Sequence, residues 1–436
     1  MPRRDVPAFT RVLLLAGCLL LAGCDGASSP AAVNREPAMD PLNDINERLA
    51  FTCRHEVLPA APADADVLFK YARWLQVNNQ LKEDKAVDVE IARLYRIAAA
   101  GGHVKAAINL QNGALRGRFR LSGPERLRMS QKLTDAGIGS GYYFIALYLD
   151  HGAAGLKQDR EMALRYFRKA ADEGNAQAQA YVGNRLSPAK MAPNIARAMR
   201  RCAAEQGDGE AAKALGNYWA VAGDYRQAVE AFQLGVAAGD ETSAYALEQG
   251  FRGPAPSDTL YYLGQQKDPE RAQRYKIISK VVGNYSYAHP TVPEINDIVP
   301  LPPAPLPAWD GKLKWLEARK ANVQPPKPGE ALIAQLAAAA GLNPATGRPL
   351  PGSPDFHKGD VAQLLCRSGE PCPRSGYWQI AWRPREGTSR EEVLYLRQGD
   401  IMPADRVEIY RPRPWPLSDR RIQQEQRVDW RFIGEV

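Results

Sequence analysis

Between about residues 46 and 284, apolar positions recur every three to four residues, in short runs broken by glycine. That spacing lays one apolar stripe along a helix and predicts short amphipathic helices joined by tight turns. The clearest stretch runs from Tyr142 to Gln179. Its first part, to Asp150, reads as one helix, and a loop with Gly152, Gly155 and Asp159 follows. Met162, Ala163, Tyr166, Phe167 and Ala170 then fall at helical spacing and mark a second helix. Gly174 suits a left-handed turn closing that helix, and Asn175 suits the cap of the next. Ala170, Ala171 and Ala178 are small enough for neighbouring helices to approach closely.

The joint between helices returns along the chain. Gly102, Gly137, Gly174, Gly207 and Gly239 are separated by 35, 37, 33 and 32 residues. Ala98-Ala99, Ala170-Ala171 and Ala203-Ala204 precede three of these glycines, and Ala106, Ala178 and Ala211 lie four residues after them. Gly141 and Ser243 take that place in the second and fifth joints. The period and the pattern Ala-Ala-x-x-Gly-[Asn/Asp]-x-x-Ala resemble the Sel1-like repeat, a relative of the tetratricopeptide repeat, over about Asp64 to Tyr285. The resemblance implies an α-solenoid, because one such unit cannot bury its apolar face alone and a stack of them can. Tyr71, Trp74, Tyr143, Tyr218 and Trp219 are candidate partner-binding residues on its surface. The competing assignment of each is inter-repeat core.

Prolines then end the helical pattern. Pro290, Pro293, Pro300, Pro302, Pro303, Pro305 and Pro307 predict an extended, polyproline II-like path. Leu301, Leu306 and Trp309 within it predict that it lies against the solenoid, and a helix is expected from Gly329 to Ala340, closed by Gly341. The stretch from Ala288 to Leu350 resembles an uncharacterised bacterial domain found after Sel1 repeats, and its apolar residues predict a cap over the last repeat. Beyond residue 353 the period changes to two. Trp378, Ile380 and Trp382 alternate on one face, as do Val428, Trp430 and Phe432, which predicts a small antiparallel β domain with an aromatic core. Cys372-Pro373-Arg374-Ser375-Gly376-Tyr377-Trp378, Gly399-Asp400-Ile401-Met402-Pro403 and Trp430 are similar to a small domain of bacterial toxin and type VI secretion loci. The fold class expected is mainly α: a solenoid of helix pairs, a Pro-rich wrap, and a small β domain.

At the other end, Arg3, Arg4 and Arg11 precede an apolar run, Val12 to Ala22, that is too short to span a bilayer and suits a signal peptide. Leu21-Ala22-Gly23-Cys24 resembles a bacterial lipobox, with a second copy at Leu15-Ala16-Gly17-Cys18. The resemblance implies cleavage before Cys24 and lipidation of that cysteine. The expected boundaries are therefore 1–23 signal peptide, 24–45 flexible tether, 46–284 solenoid, 285–352 wrap and 353–436 β domain. This predicts a chain anchored by lipid in the bacterial cell envelope, facing the periplasm, with inner or outer membrane left open. Export permits disulfides. Cys366 and Cys372 are the candidate pair, while Cys53 and Cys202 pair only if the fold brings them together.

The net charge of +8 is spread along the chain instead of forming a stripe, which argues against nucleic acid. The five histidines have no cysteine or histidine at ligand spacing, and no serine-hydrolase elbow, P-loop or dinucleotide fingerprint occurs. No metal, cofactor or catalytic residue is assigned. The function expected is non-catalytic protein binding in the envelope. Its sharpest form is an immunity protein against a secreted type VI toxin. The alternatives are an envelope scaffold or assembly factor, and a glycan-binding or hydrolytic C-terminal domain.

Overall fold

The computed structural model describes residues 49–187, 192–356, 365–382, 388–389, 393–411 and 420–434. The signal-peptide, tether and Cys24 assignments lie outside these residues. Among the described residues the solenoid comprises twelve helices that follow one another as six pairs. The first pair is α1 (Ala63–Asn79) with α2 (Lys85–Ala100), and the second is α3 (Val104–Leu115) with α4 (Gly123–Asp135). The third is α5 (Gly139–His151) with α6 (Arg160–Asp172), and the fourth is α7 (Ala176–Leu186) with α8 (Pro193–Glu205). The fifth is α9 (Gly209–Val221) with α10 (Tyr225–Ala238), and the sixth is α11 (Glu241–Phe251) with α12 (Pro269–Asn284).

The joints between pairs are built as the glycine spacing predicts. All five glycines have positive φ, from +71° to +92°, where an L-residue is strained. The residue after four of them caps the next helix through its side chain: His103, Asn175, Asp208 and Asp240. The small positions four residues after the glycines are buried at helix crossings, Ala106, Ala178, Ala211 and Ser243 each being at most 1% exposed. Gly141, in the equivalent place, is tighter still, since a Cβ there would lie 2.7 Å from Leu133 Cβ.

The wrap does more than cap the last pair, which corrects the sequence expectation. Its first half packs on the last pairs, with Val292, Ile295, Val299 and Leu313 buried beside Phe251 and Tyr275, and with Leu301, Leu306 and Trp309 partly buried against the same core. Extended backbone needs partners for its polar groups. Gln233 Nε2 donates to Val299 O at 2.8 Å and Arg274 Nη1 donates to Ile298 O at 2.7 Å. After the short α13 (Ile295–Ile298) and α14 (Lys314–Ala321), the chain reaches the opposite end of the helical row. There α15 (Glu330–Ala339) buries Ile333 and Ala337 in the core of α1 and α2. Trp74 Nε1 donates to Asn322 Oδ1 at 3.0 Å, and Arg93 bonds both Glu330 and Pro344 O, each at 2.6 Å. An apolar segment attached to the last pair satisfies the exposed face of the first. The sequence pattern shows that such a face must be covered, but not which end a distant helix will cover.

Among the described residues the C-terminal β region has seven strands: β1 (Leu365–Arg367), β2 (Gly376–Trp382), β3 (Thr388–Ser389), β4 (Val393–Leu396), β5 (Asp405–Arg411), β6 (Arg420–Gln426) and β7 (Asp429–Gly434). They form two antiparallel sheets, ordered β1-β7-β2-β4 and β3-β5-β6. Trp378 lies opposite Phe432 and Ile380 opposite Trp430, which brings the alternating aromatics onto one core with Met402 and Val428. The side chain of Trp382 is outside the described ones. No described helix is long and apolar enough to cross a membrane.

The cysteines depart from expectation. The disulfide joins Cys53 to Cys202, 149 residues apart, with their Cα atoms 5.6 Å from each other. Cys366 and Cys372 are buried free thiols, which corrects the pairing expected from their closeness in sequence. Cys366 Sγ points to Pro371 O at 3.4 Å, and Cys372 Sγ points to Arg374 O at 3.1 Å. Backbone bonds from Gly369 N to Met402 O and from Cys372 N to Asp400 O pin the intervening turn to another loop. Burial, with Glu370 beside it, pushes the Cys366 thiol up to about 11.

Candidate functional site

An extended segment before α1, residues 50–61, crosses the row of joints in reverse chain order and acts as a strap. Pro62 lies over the first joint, with its Cγ 3.5 Å from where a Cβ on Gly102 would stand. The second joint lacks a capping side chain, because Ile138 occupies the cap position of α5. Glu56 supplies the missing acceptor from the strap: Ser140 N donates to its Oε1 at 2.5 Å and Ser140 Oγ to its Oε2 at 2.8 Å. A helix cap is worth about 1 kcal/mol, and a carboxylate also suits the positive end of the helix dipole. At the third joint Gly174 packs directly on the His55–Glu56 backbone, and Gln179 Nε2 donates to Arg54 O at 2.8 Å. At the fourth, Glu56 N donates to Gln206 Oε1 at 2.9 Å and Cys53 is bonded to Cys202. The wrap covers the fifth: Val292 N donates to Ala237 O at 2.9 Å, and Pro290 O stands where a Cβ on Gly239 would lie. The joint edge is thus overlain by the protein's own extended chain.

His55 sits by the disulfide, with Nε2 3.7 Å from Glu205 Oε2, and ligand atoms of Cys53, His55 and Cys202 lie within 4.8 Å of one another. In the disulfide the two sulfurs are bonded to each other and are not thiolate ligands. His103 is buried at the first joint, stacked on Phe69 at 4.1 Å with Nε2 3.4 Å from Asp66. Burial holds its pKa below the ordinary value, against the opposing pull of Asp66. A second candidate is a cavity of about 430 Å³ among α2, α3, α4 and the chain after α15, with Val104, Met129, Leu133 and Leu342 in its wall. Its charged lining includes two internal ion pairs, Arg96–Glu125 and Lys132–Asp355, both at 2.5 Å.

The structure separates the five candidate aromatics. Tyr71 is 8% exposed in the first core and stacks on Trp74, whose indole is taken by Asn322 of the wrap. Tyr143 is wedged against Phe144 and Phe167, and burial raises its pKa. Tyr71 is buried, and Trp74 and Tyr143 are half-buried against the core, so these three serve packing within the chain. Tyr218 is 38% exposed, while Trp219, edge to face with it at 5.0 Å, is half-buried against the core of the last pairs. Arg197 lies over both rings, 4.7 Å from Tyr218 and 5.5 Å from Trp219. Sequence reading missed this arginine, since the helical period puts it only on the polar side of α8. The strap left no periodic signal either.

Fold and surface together define an α-solenoid of stacked helix pairs. Residues 243–350 match the family described as a domain of unknown function, DUF6396. The matched segment runs from α11 through α12, the wrap and α15. Comparison with curated proteins finds no match. Among solved structures, the chain is similar to the immunity protein Pa5087 from Pseudomonas aeruginosa, at 24% identity over 59% of this chain and 96% of that one, with a TM-score of 0.45. It is also similar to the immunity protein PA5088 from the same organism, at 23% identity over 58% of this chain and 95% of that one, with a TM-score of 0.45. A Sel1 repeat protein from Oxalobacter formigenes is similar at 21% identity over 50% of this chain and 97% of that one, with a TM-score of 0.33.

Proposed function

We propose that this chain is a non-catalytic binding protein, tethered in the bacterial envelope by lipid on Cys24 and facing the periplasm, whose partner is a secreted antibacterial toxin that it neutralises. The observation that carries the binding role is how firmly the solenoid surface is held. A disulfide-bolted strap and a bridging wrap fix six helix pairs, and a pre-ordered surface loses less conformational freedom on binding. The Cys53–Cys202 bridge suits an oxidising compartment such as the periplasm. Two of the similar solved chains are immunity proteins by name. In this reading residues 24–45 are the tether, 46–284 the binding solenoid, and 285–352 the wrap.

The test is affinity capture by the full chain, solubilised from membranes, from the secreted and envelope fractions of its own bacterium. One secreted protein recovered in stoichiometric amount, whose toxicity to cells ends when this chain is present, is the expected result. Recovery of several resident envelope proteins and no toxin would overturn the immunity reading and leave a scaffold in its place.

A further inference from the structure

The joints form one edge of the solenoid, and the turns within each pair form the other. The strap and wrap lie on the first. In the fourth and fifth pairs α7 packs on α8, and α8 on α9. Arg185 Nη2 donates to Tyr181 OH at 3.0 Å, with its guanidinium 5.2 Å from the ring centre. Arg197 Nη1 donates to Tyr218 OH at 2.7 Å, and its Nη2 donates to Asn194 Oδ1. Arg200, three residues on and so on the same face of α8, donates Nε to Asn184 Oδ1 at 2.9 Å. Among the described residues none of these three arginines has a carboxylate at ion-pair distance, whereas Arg93, Arg96, Arg168, Arg201 and Arg274 each do. Burial without such a partner holds the Arg200 guanidinium below its ordinary pKa.

We propose that the face carrying Arg185, Arg197 and Arg200, with Tyr181, Tyr218 and Trp219 beneath the first two, receives an acidic segment of the partner protein. The proposal rests on the binding role above and adds the partner's chemistry. Aromatic rings hold the Arg185 and Arg197 guanidiniums in place through neutral partners, which a carboxylate can replace or share with charge-assisted bonds. Charge complementarity names the occupant: three cations without counter-charges call for carboxylates. Tyr218, 38% exposed, and Val221, 91% exposed, add apolar contact at the end of α9.

The probe is a fluorescein-labelled deca-glutamate peptide titrated into the full chain at low salt and followed by anisotropy. The wild type should bind it saturably, and the triple variant Arg185→Gln/Arg197→Gln/Arg200→Gln should bind at least about tenfold more weakly, as expected for lost charge-assisted bonds. Arg165→Gln/Arg226→Gln, at exposed arginines already paired with glutamates, is the control and should bind as the wild type does. Circular dichroism checks that each variant is folded, and the exposed single variant Arg185→Gln, expected to weaken binding by a smaller factor, keeps the test open if the triple variant is not. Unchanged peptide affinity in the folded variants overturns the proposal. So does binding of phosphatidylglycerol vesicles through the same arginines without peptide binding, which would make this a membrane face. If the triple variant still neutralises a captured toxin, the face is wrong and the proposed function stands. If the peptide binds through these arginines but no toxin is captured, the function falls and the acidic-segment face stands.

Discussion

Gly174 and Gly207 hold the same place in successive joints, with φ of +92° and +90°, yet their surroundings differ. A Cβ on Gly174 would lie 2.6 Å from Glu56 N, while one on Gly207 would meet nothing within 4 Å. A side chain in the left-handed region costs about 1–2 kcal/mol in backbone strain alone. Gly207→Ala should therefore lose about that much in urea unfolding, and Gly174→Ala clearly more, because it must also displace the strap. Equal losses would mean that the strap contributes nothing at that joint. A second residue-scale effect is pH. Burial depresses the pKa of His103 and His289 from the ordinary 6.5. Above that value both folded and unfolded chains hold neutral imidazoles and the stability is fully present. Below it the unfolded chain takes up protons first, so stability falls as pH drops from 6.5 toward the folded values. His103→Asn retains an acceptor for Ala106 N and removes the titration. Its stability should fall less steeply between about pH 6.5 and 5, measured by thermal unfolding across that range. An unchanged slope would assign the protons elsewhere.

Among the elements, helices and extended segments differed in how far their sequence disclosed them. The helix pairs could be read because each is a local object: a glycine, a capping residue and an apolar stripe all fall within about thirty-five residues, the span of one repeat. The β strands with Trp378 and Trp430 were legible for the same reason. Residues 50–61 carry no such period, since their partners are Ser140, Gln179 and Gln206, far along the chain and engaged largely through backbone. Sequence proximity also misled for cysteine, favouring Cys366 with Cys372 when the strap had already brought Cys53 to α8. The arginine face stayed hidden because each of its members looks like an ordinary solvated helix position. Reducing the Cys53–Cys202 bridge should cost about 2–4 kcal/mol of stability. Amide hydrogen exchange should quicken first along residues 50–61 while the helices stay protected. Exchange that quickens evenly across all six pairs would show that the strap is not a separate element.

At the scale of the molecule, the chain after the last pair stabilises the first. Ile333 is 1% exposed between α15 and the α1–α2 core. Ile333→Ala should destabilise by about 2–4 kcal/mol, as for other deletions in a packed core. The loss should register in the amide protection of α1 and α2 as well as α15, although the altered residue is remote from them in sequence. Loss confined to α15 would mean that the bridge bears no stability. The Cys53–Cys202 bond has a different consequence, a mechanical one. Cys53 is fastened to α8, and just before it Leu49 O and Ala50 O are gripped by Arg168 on α6. Tension applied ahead of Leu49 is therefore met first by Arg168 on the third pair and then by a covalent rivet on the fourth. The covalent load path leaves out the whole stretch of chain between the two cysteines, so the first two pairs, which come before the Arg168 grip and the rivet, lie off the direct line of pull.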